Sequence, residues 1–299
     1  MFIWLLLALG SALTNSWVQA LSKTAVAVSR YSKITISFVA MACASLILIS
    51  ISYFLIGIPV LQEGFWFAVF ATGILNTIAF PTLLRAYQLG EFSSVYSMIL
   101  LTPVFMILTS FLILGETPSM IGIIGVLLTV SGLWFVFRVS HKHAQSPNFT
   151  MGNILGIIVA FIYSLSVNFD KLMILYSDRV FAPGMAIAIM AGGYAIYLLL
   201  KHGTLLVKIT DQTMDNNAPR FKIPGVFILL ALGVLMAGSN VLHVSALAVG
   251  LASYTIAVKR TGVLFGVFWG WLFFKEKNIG KKLVGVAIAI AGVVVILFS

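Results

Sequence analysis

Within the stretch YTIAVKRTGVLFGVFWGWLFF (Tyr254 to Phe274), almost wholly apolar, Lys259 and Arg260 stand side by side. Two cations in such a setting can hold an anion such as a carboxylate. Each costs about 2.5–3.5 kcal/mol at the centre of a membrane span, so their presence needs a reason. Neighbours on a helix point about 100° apart, so the two need not share a role. Two readings stand open. In one, both side chains reach back to the near interface, or pair with Glu91 or a backbone carbonyl. In the other, preferred here, at least one faces an interior cavity and an anionic group.

Other polar groups inside apolar segments are neutral. They are Asn76, Tyr96, Asn168, and Asn240 with His243, which share a helix face at i and i+3. The first segment adds Asn15 and Trp17. With Lys259 and Arg260 these residues make the candidate substrate-binding lining. A lone histidine in a helix is more often a packing residue, and no second His or Cys at ligand spacing supports a metal. His141 and His143 flank Lys142 without an acidic partner nearby, and no nucleophile–base set suggests catalysis. No GxxxxGK[ST] loop is present, so ATP hydrolysis by this chain is not expected. The single cysteine, Cys43, excludes an internal disulfide or a CxxC site. Asp170 could carry a proton, but pairing with its neighbour Lys171 is the favoured reading.

The elements that must position these residues follow from composition. Hydrophobic residues make up 61% of the 299-residue chain and charged residues 9%, against about 25% charged in soluble proteins. Such a chain cannot cover a soluble surface; it is read as an integral membrane protein. Its net charge of +10 then marks loops facing the cytoplasm more than nucleic-acid binding. A spanning helix needs about 20 mostly apolar residues. Ten segments qualify, roughly 2–22, 34–57, 65–84, 92–114, 119–138, 152–175, 182–200, 224–246, 251–274 and 280–298. The first lacks a basic start and is read as a retained span, not a cleaved signal.

The segments also repeat. A shift of 160 residues places Gly73 on Gly233, Gly90 on Gly250, Glu116 on Glu276, Gly125 on Gly285 and Gly132 on Gly292, without a gap. Near the start a shift of 148 places Ala12 on Ala160, Ser16 on Ser164 and Lys23 on Lys171. Lys259 and Arg260 fall on Ile99 and Leu100, so the cations have no counterpart in the first copy, and no buried acid is expected near them. The expected fold is all-α, with residues 1–140 and 151–299 as two five-helix repeats. Five is odd, so the second repeat crosses the membrane in the opposite sense. Inverted repeats of this kind place a substrate near the midplane between the halves.

ALTNSWVQALSK ends the first helix, AYQLGEFSSVYSMILLTPVFMILTSFLILGE forms the fourth, and a G-x-x-G-x-x-L-x-x-x-G-x-W run follows from Gly122. The second copy reads ALAVGLASYTIAVKRTGVLFGVFWGWLFFKE. On these residues the chain resembles the ten-helix EamA-like transporters of the drug/metabolite transporter superfamily, over essentially its whole length. The resemblance implies a basket of helices around a central cavity, moving amino acids, sugars or related metabolites, often outward, with no cofactor and no bond-making chemistry. Small multidrug pumps of the same superfamily use a buried carboxylate in their first helix. Here that helix has Asn15, Trp17 and Gln19 but no acid, which disfavours a cationic-drug antiporter. Val263 stands where the first copy has Pro103, and the basic tail common in the family is missing.

The function expected is secondary or facilitated transport of small metabolites, amino-acid-like or otherwise carboxylate-bearing, by alternating access and outward. A membrane channel or a lipid-modifying enzyme is the alternative. The partners expected are a small-molecule substrate and the lipid bilayer, with no nucleic acid; a monomer is compatible with the sequence. Ten spans put 14 Lys and Arg on one face and only Lys171 and Arg179 on the other. The positive-inside rule then places both termini outside the cytoplasm, in a multi-pass protein of the cell (inner) membrane. The usual basic tail of the family would put them inside.

Overall fold

Lipid offers no partner to a backbone N–H or C=O, so a chain this apolar can satisfy its peptide groups only within helices or a closed barrel. The computed structural model takes the first course. It describes residues 2–29, 31–57, 59–89, 95, 98–140, 150–207, 225–262, 264–265 and 279–299. Among these lie ten α-helices: α1 (Phe2–Ser29), α2 (Lys33–Ile51), α3 (Phe65–Leu89), α4 (Thr102–Leu114), α5 (Met120–Ser140), α6 (Met151–Leu175), α7 (Phe181–His202), α8 (Gly225–Val249), α9 (Ala252–Arg260) and α10 (Ile279–Leu297). Five of them, α2, α3, α6, α7 and α8, are long and apolar enough in their described residues to cross a membrane.

Local chemistry sets several ends. Ser32 precedes α2 and its hydroxyl accepts from the Thr35 N–H at 3.1 Å, while one Asp178 oxygen accepts from the Val180 and Phe181 N–H groups at the start of α7. Gly115 ends α4 at φ 68°, a left-handed conformation that a glycine adopts without cost. α2 runs on through a wider turn, Ser52–Ile56, closed by the Gly57 N–H on the Ser52 carbonyl at 2.9 Å.

Side chains sort by size. Ala8, Ala12, Ala40, Ala44, Ala68, Ala160 and Ala289 are fully buried between helices, while Phe54, Phe67, Leu112 and Leu200 point outward. Association in lipid gains from close packing, not from hiding apolar surface, so small residues collect at the contacts.

The contacts expose the repeat. α5 packs on α10 and α2 on α7; α3 packs on α6 as α1 does on α8, and α2 on α8 as α3 does on α7. Exchanging each helix with the one five places on leaves this set unchanged. The match reaches single atoms. A Cβ at Gly132 would sit 2.6 Å from the Gly285 carbonyl oxygen, and one at Gly292 would sit 2.7 Å from that of Gly125. The shift of 160 carries the first contact onto the second. Position numbers rise along α5 as they fall along α10, so these equivalent helices run antiparallel. A twofold axis relating antiparallel spans lies in the membrane plane. The halves are therefore an inverted repeat.

Candidate functional site

The site begins with two interrupted helices. The chain entering α4 breaks its pattern at Leu101, whose N–H bonds the Met98 carbonyl at 3.1 Å, and the Val104 N–H bonds Leu101 at 2.9 Å. In the second repeat the Thr261 N–H bonds Val258 at 3.0 Å and the Leu264 N–H bonds Thr261 at 2.8 Å. These are the same two tight i→i+3 turns, moved by 160 residues. Pro103 follows the first break, but its counterpart is Val263, so proline is not what makes the second. Helix interruptions at membrane depth are tolerated where protein or a wet interior satisfies the backbone, and transporters build substrate sites on them.

Lys259 and Arg260 occupy the last turn of α9, just before its break. The carbonyls there carry the negative end of the helix dipole, which favours cations. Arg260 Nη2 donates to Thr102 Oγ1 at 3.2 Å, joining the two breaks across the repeats. Its guanidinium stands 6.0 Å from the ring centre of Tyr163 on α6. Arg260 Nε is buried without a hydrogen-bond partner among the described residues. Among the described residues, Lys259 makes no ion pair and no hydrogen bond. Pairing with Glu91, one of the readings open above, lies outside the described residues.

A carboxylate faces this region. Asp170 on α6 accepts from the Thr72 hydroxyl at 2.9 Å, and its other oxygen lies 4.0 Å from His243 Nε2. The α9 helix that ends in Lys259 and Arg260 packs against α6, which carries Asp170. Asn76 continues the cluster, donating to Ser166 Oγ at 2.5 Å and to the Thr72 carbonyl at 2.9 Å. His243 is buried, and its Nδ1 has no hydrogen-bond partner among the described residues.

Two expectations are corrected here. Asp170 does not pair with Lys171, because residues adjacent on a helix point apart. Lys171 Nζ instead bonds Glu116 at 2.5 Å and the Gly250 carbonyl at 2.7 Å. The second Glu116 oxygen accepts from the Ala252 N–H at 2.8 Å, a carboxylate at the N-terminus of α9. Lys171 and Glu116 thus tie α6, the end of α4 and the start of α9 together. The two cations also do not lack a buried acid nearby: Asp170 supplies one.

The remaining candidates scatter. Asn168 is fully buried and binds Thr109 at 3.0 Å, pinning α6 to α4. Asn240 donates to the Met236 carbonyl of its own helix at 2.8 Å. Asn15 is partly buried on α1, and Trp17 is 38% exposed. Tyr96 lies outside the described residues. Gly262, Gly266 and Gly270 stand at i, i+4 and i+8 in the sequence; just past α9, Gly262 takes the Ala12 carbonyl of α1, which a Cβ would meet at 2.7 Å, and Gly266 and Gly270 lie outside the described residues. An apolar groove of about 570 Å³ beside Leu108, Phe111 and Leu127 holds none of these side chains.

Thr72, Ser166, Thr102 and Tyr163 are absent from the sequence candidates, and Asp170 enters there only as a proton carrier, behind its pairing with Lys171. Part of the signal was readable: Thr72 with Asn76, and Ser166 with Asp170, are each i and i+4, so each pair marks one polar helix face. Thr102 and Tyr163 join the site only through Arg260, and no local pattern announces that.

The comparisons with known proteins agree with this architecture. The model of the EamA-like transporter family matches residues 2–138 and again 150–298. No curated protein matches the chain. A solved crystal structure shares the fold with a TM-score of 0.75, covering 98% of this chain and 94% of its own at 14% identity. With both halves matched in turn, the chain belongs to the EamA-like transporter family and is a multi-pass membrane protein that transports small molecules.

Proposed function

We propose that this transporter carries small carboxylate-bearing metabolites, amino-acid-like compounds among them, by alternating access between its repeats, 1–140 and 151–299. The observation that carries the reading is the state of Lys259 and Arg260: two cations at an interrupted membrane helix, with the Lys259 ammonium and Arg260 Nε making no hydrogen bond or close ion pair among the described residues. Donors of this kind fit an anionic guest, since a charge-assisted bond is about twice as strong as a neutral one. Lys259, Arg260 and His243 are assigned to the anionic end of the substrate. Asn76, Tyr96, Asn15, Trp17, Asn168 and Asn240 are assigned to the rest of the path. Export follows the direction the family resemblance implies, and no nucleotide is required.

The test is counterflow of radiolabelled L-phenylalanine, L-alanine, lactate and succinate in liposomes without ATP. Lys259→Gln and Arg260→Gln should each raise the half-saturating concentration at least about tenfold, the weight of a lost bond to a charged group. Unchanged affinity and rate for every carboxylate in both folded variants would make the pair structural.

A further inference from the structure

We propose that Asp170 is the proton-carrying group of this transporter, coupling each carboxylate moved to one proton moved in the same direction. The inference rests on the carboxylate reading above. It begins from what Asp170 lacks. Glu116, one step away at the helix end, is committed to Lys171 and to the Ala252 N–H. Among the described residues Asp170 has one direct donor, the Thr72 hydroxyl on Oδ1. Its Oδ2 lies 4.0 Å from His243 Nε2 and accepts no hydrogen bond from a described residue. The carboxyl side chain is 15% exposed and lies inside the α6 span, where an ionisable group is costly and marks proton or substrate pathways by default.

The groups around it come from each packed element. α3 brings Thr72 and α8 brings His243, while α9, which packs on α6, ends in Lys259 and Arg260. On α6 itself, Lys171 is held by Glu116. To Asp170, the acid on the helix that packs against α9, we assign the charge that balances Lys259 when no substrate is bound. A substrate carboxylate drawn to Lys259 and Arg260 takes that balancing charge and sets a like charge beside Asp170. Asp170 then binds a proton from the side on which the substrate entered, forming the O–H bond on Oδ2. The substrate stays ionised. Release on the far side returns the cations to Asp170, which gives up the proton there. Linkage makes the effect reciprocal: a protonated Asp170 favours the bound carboxylate as much as the carboxylate favours the proton.

Wild type, Asp170→Asn and Asp170→Glu are reconstituted in liposomes containing a pH-sensitive dye, with the membrane potential clamped. Counterflow and net uptake of L-phenylalanine, L-alanine, lactate and succinate are followed. For wild type, an acid-outside gradient of about one pH unit should sustain about tenfold accumulation of a transported monocarboxylate, with matching internal acidification. Asp170→Asn should fall to simple equilibration with a flattened pH profile, while exchange at equal pH persists at reduced rate. Asp170→Glu, which keeps a carboxyl group, should retain accumulation. Full accumulation by Asp170→Asn, or wild-type equilibration without proton movement, overturns the assignment. So does loss of amino-acid exchange alone with lactate still driven by the gradient, which would make Asp170 a site for the amino group. If wild type exchanges none of the four probes, the carboxylate reading itself falls and the coupling with it.

Discussion

Removing the Glu116 carboxylate leaves the Lys171 ammonium with the Gly250 carbonyl as its remaining partner, and leaves the Ala252 N–H unpaired. Both side chains are largely buried, 16% and 7% exposed, and breaking a buried ion pair from one side costs about 3 kcal/mol or more. Glu116→Gln should therefore lower stability by about that amount, read as a shift in the unfolding transition of the purified protein in detergent. Lys171→Met in the same chain should recover part of the loss, because no uncompensated charge then remains. Additive losses in the double variant would show that the two residues act independently. The same comparison separates the neighbours Lys171 and Asp170. Lys171 is spent on the tie to Glu116, while Asp170 turns to Thr72 and His243.

At the scale of elements, the close contact of α5 and α10 rests on residues with no side chain. A Cβ at Gly132 would meet the Gly285 carbonyl oxygen at 2.6 Å and the Ala289 Cα at 2.8 Å, both backbone atoms that cannot step aside. Gly132→Ala should cost about 1–3 kcal/mol through overpacking. Gly192→Ala on α7, where nothing lies within 4 Å, should stay within about 0.5 kcal/mol. Unfolding transitions of the two variants check the pair, and equal losses would remove the packing explanation. The breaks in α4 and α9 belong to this scale as well. They coincide under the repeat although only one has a proline, so inter-repeat packing and the Arg260 to Thr102 bond hold the second.

For the whole molecule, the antiparallel pairing of equivalent helices makes the two halves mirror each other's crossing sense. Which face meets the cytoplasm is then a question of loop charge. The face bearing 14 Lys and Arg is proposed to be cytoplasmic, with both termini on the other side. A fluorescent reporter that folds only in the cytoplasm should stay dark when fused after Ser299, and a phosphatase that works only outside should be active there. The reverse pattern would invert the molecule and leave the fold untouched. On the proposed orientation the Lys171–Glu116 tie lies toward the outer face, since α6 ends and α9 begins on the side of the termini.

Hydropathy and the shift of 160 residues already determined ten helices, the two halves and their opposed sense, because lipid leaves a chain few ways to satisfy its backbone and because a repeat is a property of the sequence itself. Lys259 and Arg260 were legible for the same reason: charge in apolar sequence stands out in one dimension. Their surroundings were not. Whether Asp170 turns to Lys171 or to Thr72 and His243 depends on helix rotation, which sets which side chains meet across 98 residues of chain. The break in α9 was hidden because Val263 carries no mark of it. Thr102 and Tyr163 reach Arg260 from other helices. Only the tertiary structure decides such contacts, because interior polar groups find partners by how helices pack against one another, and packing in lipid is set by small residues distributed through both repeats.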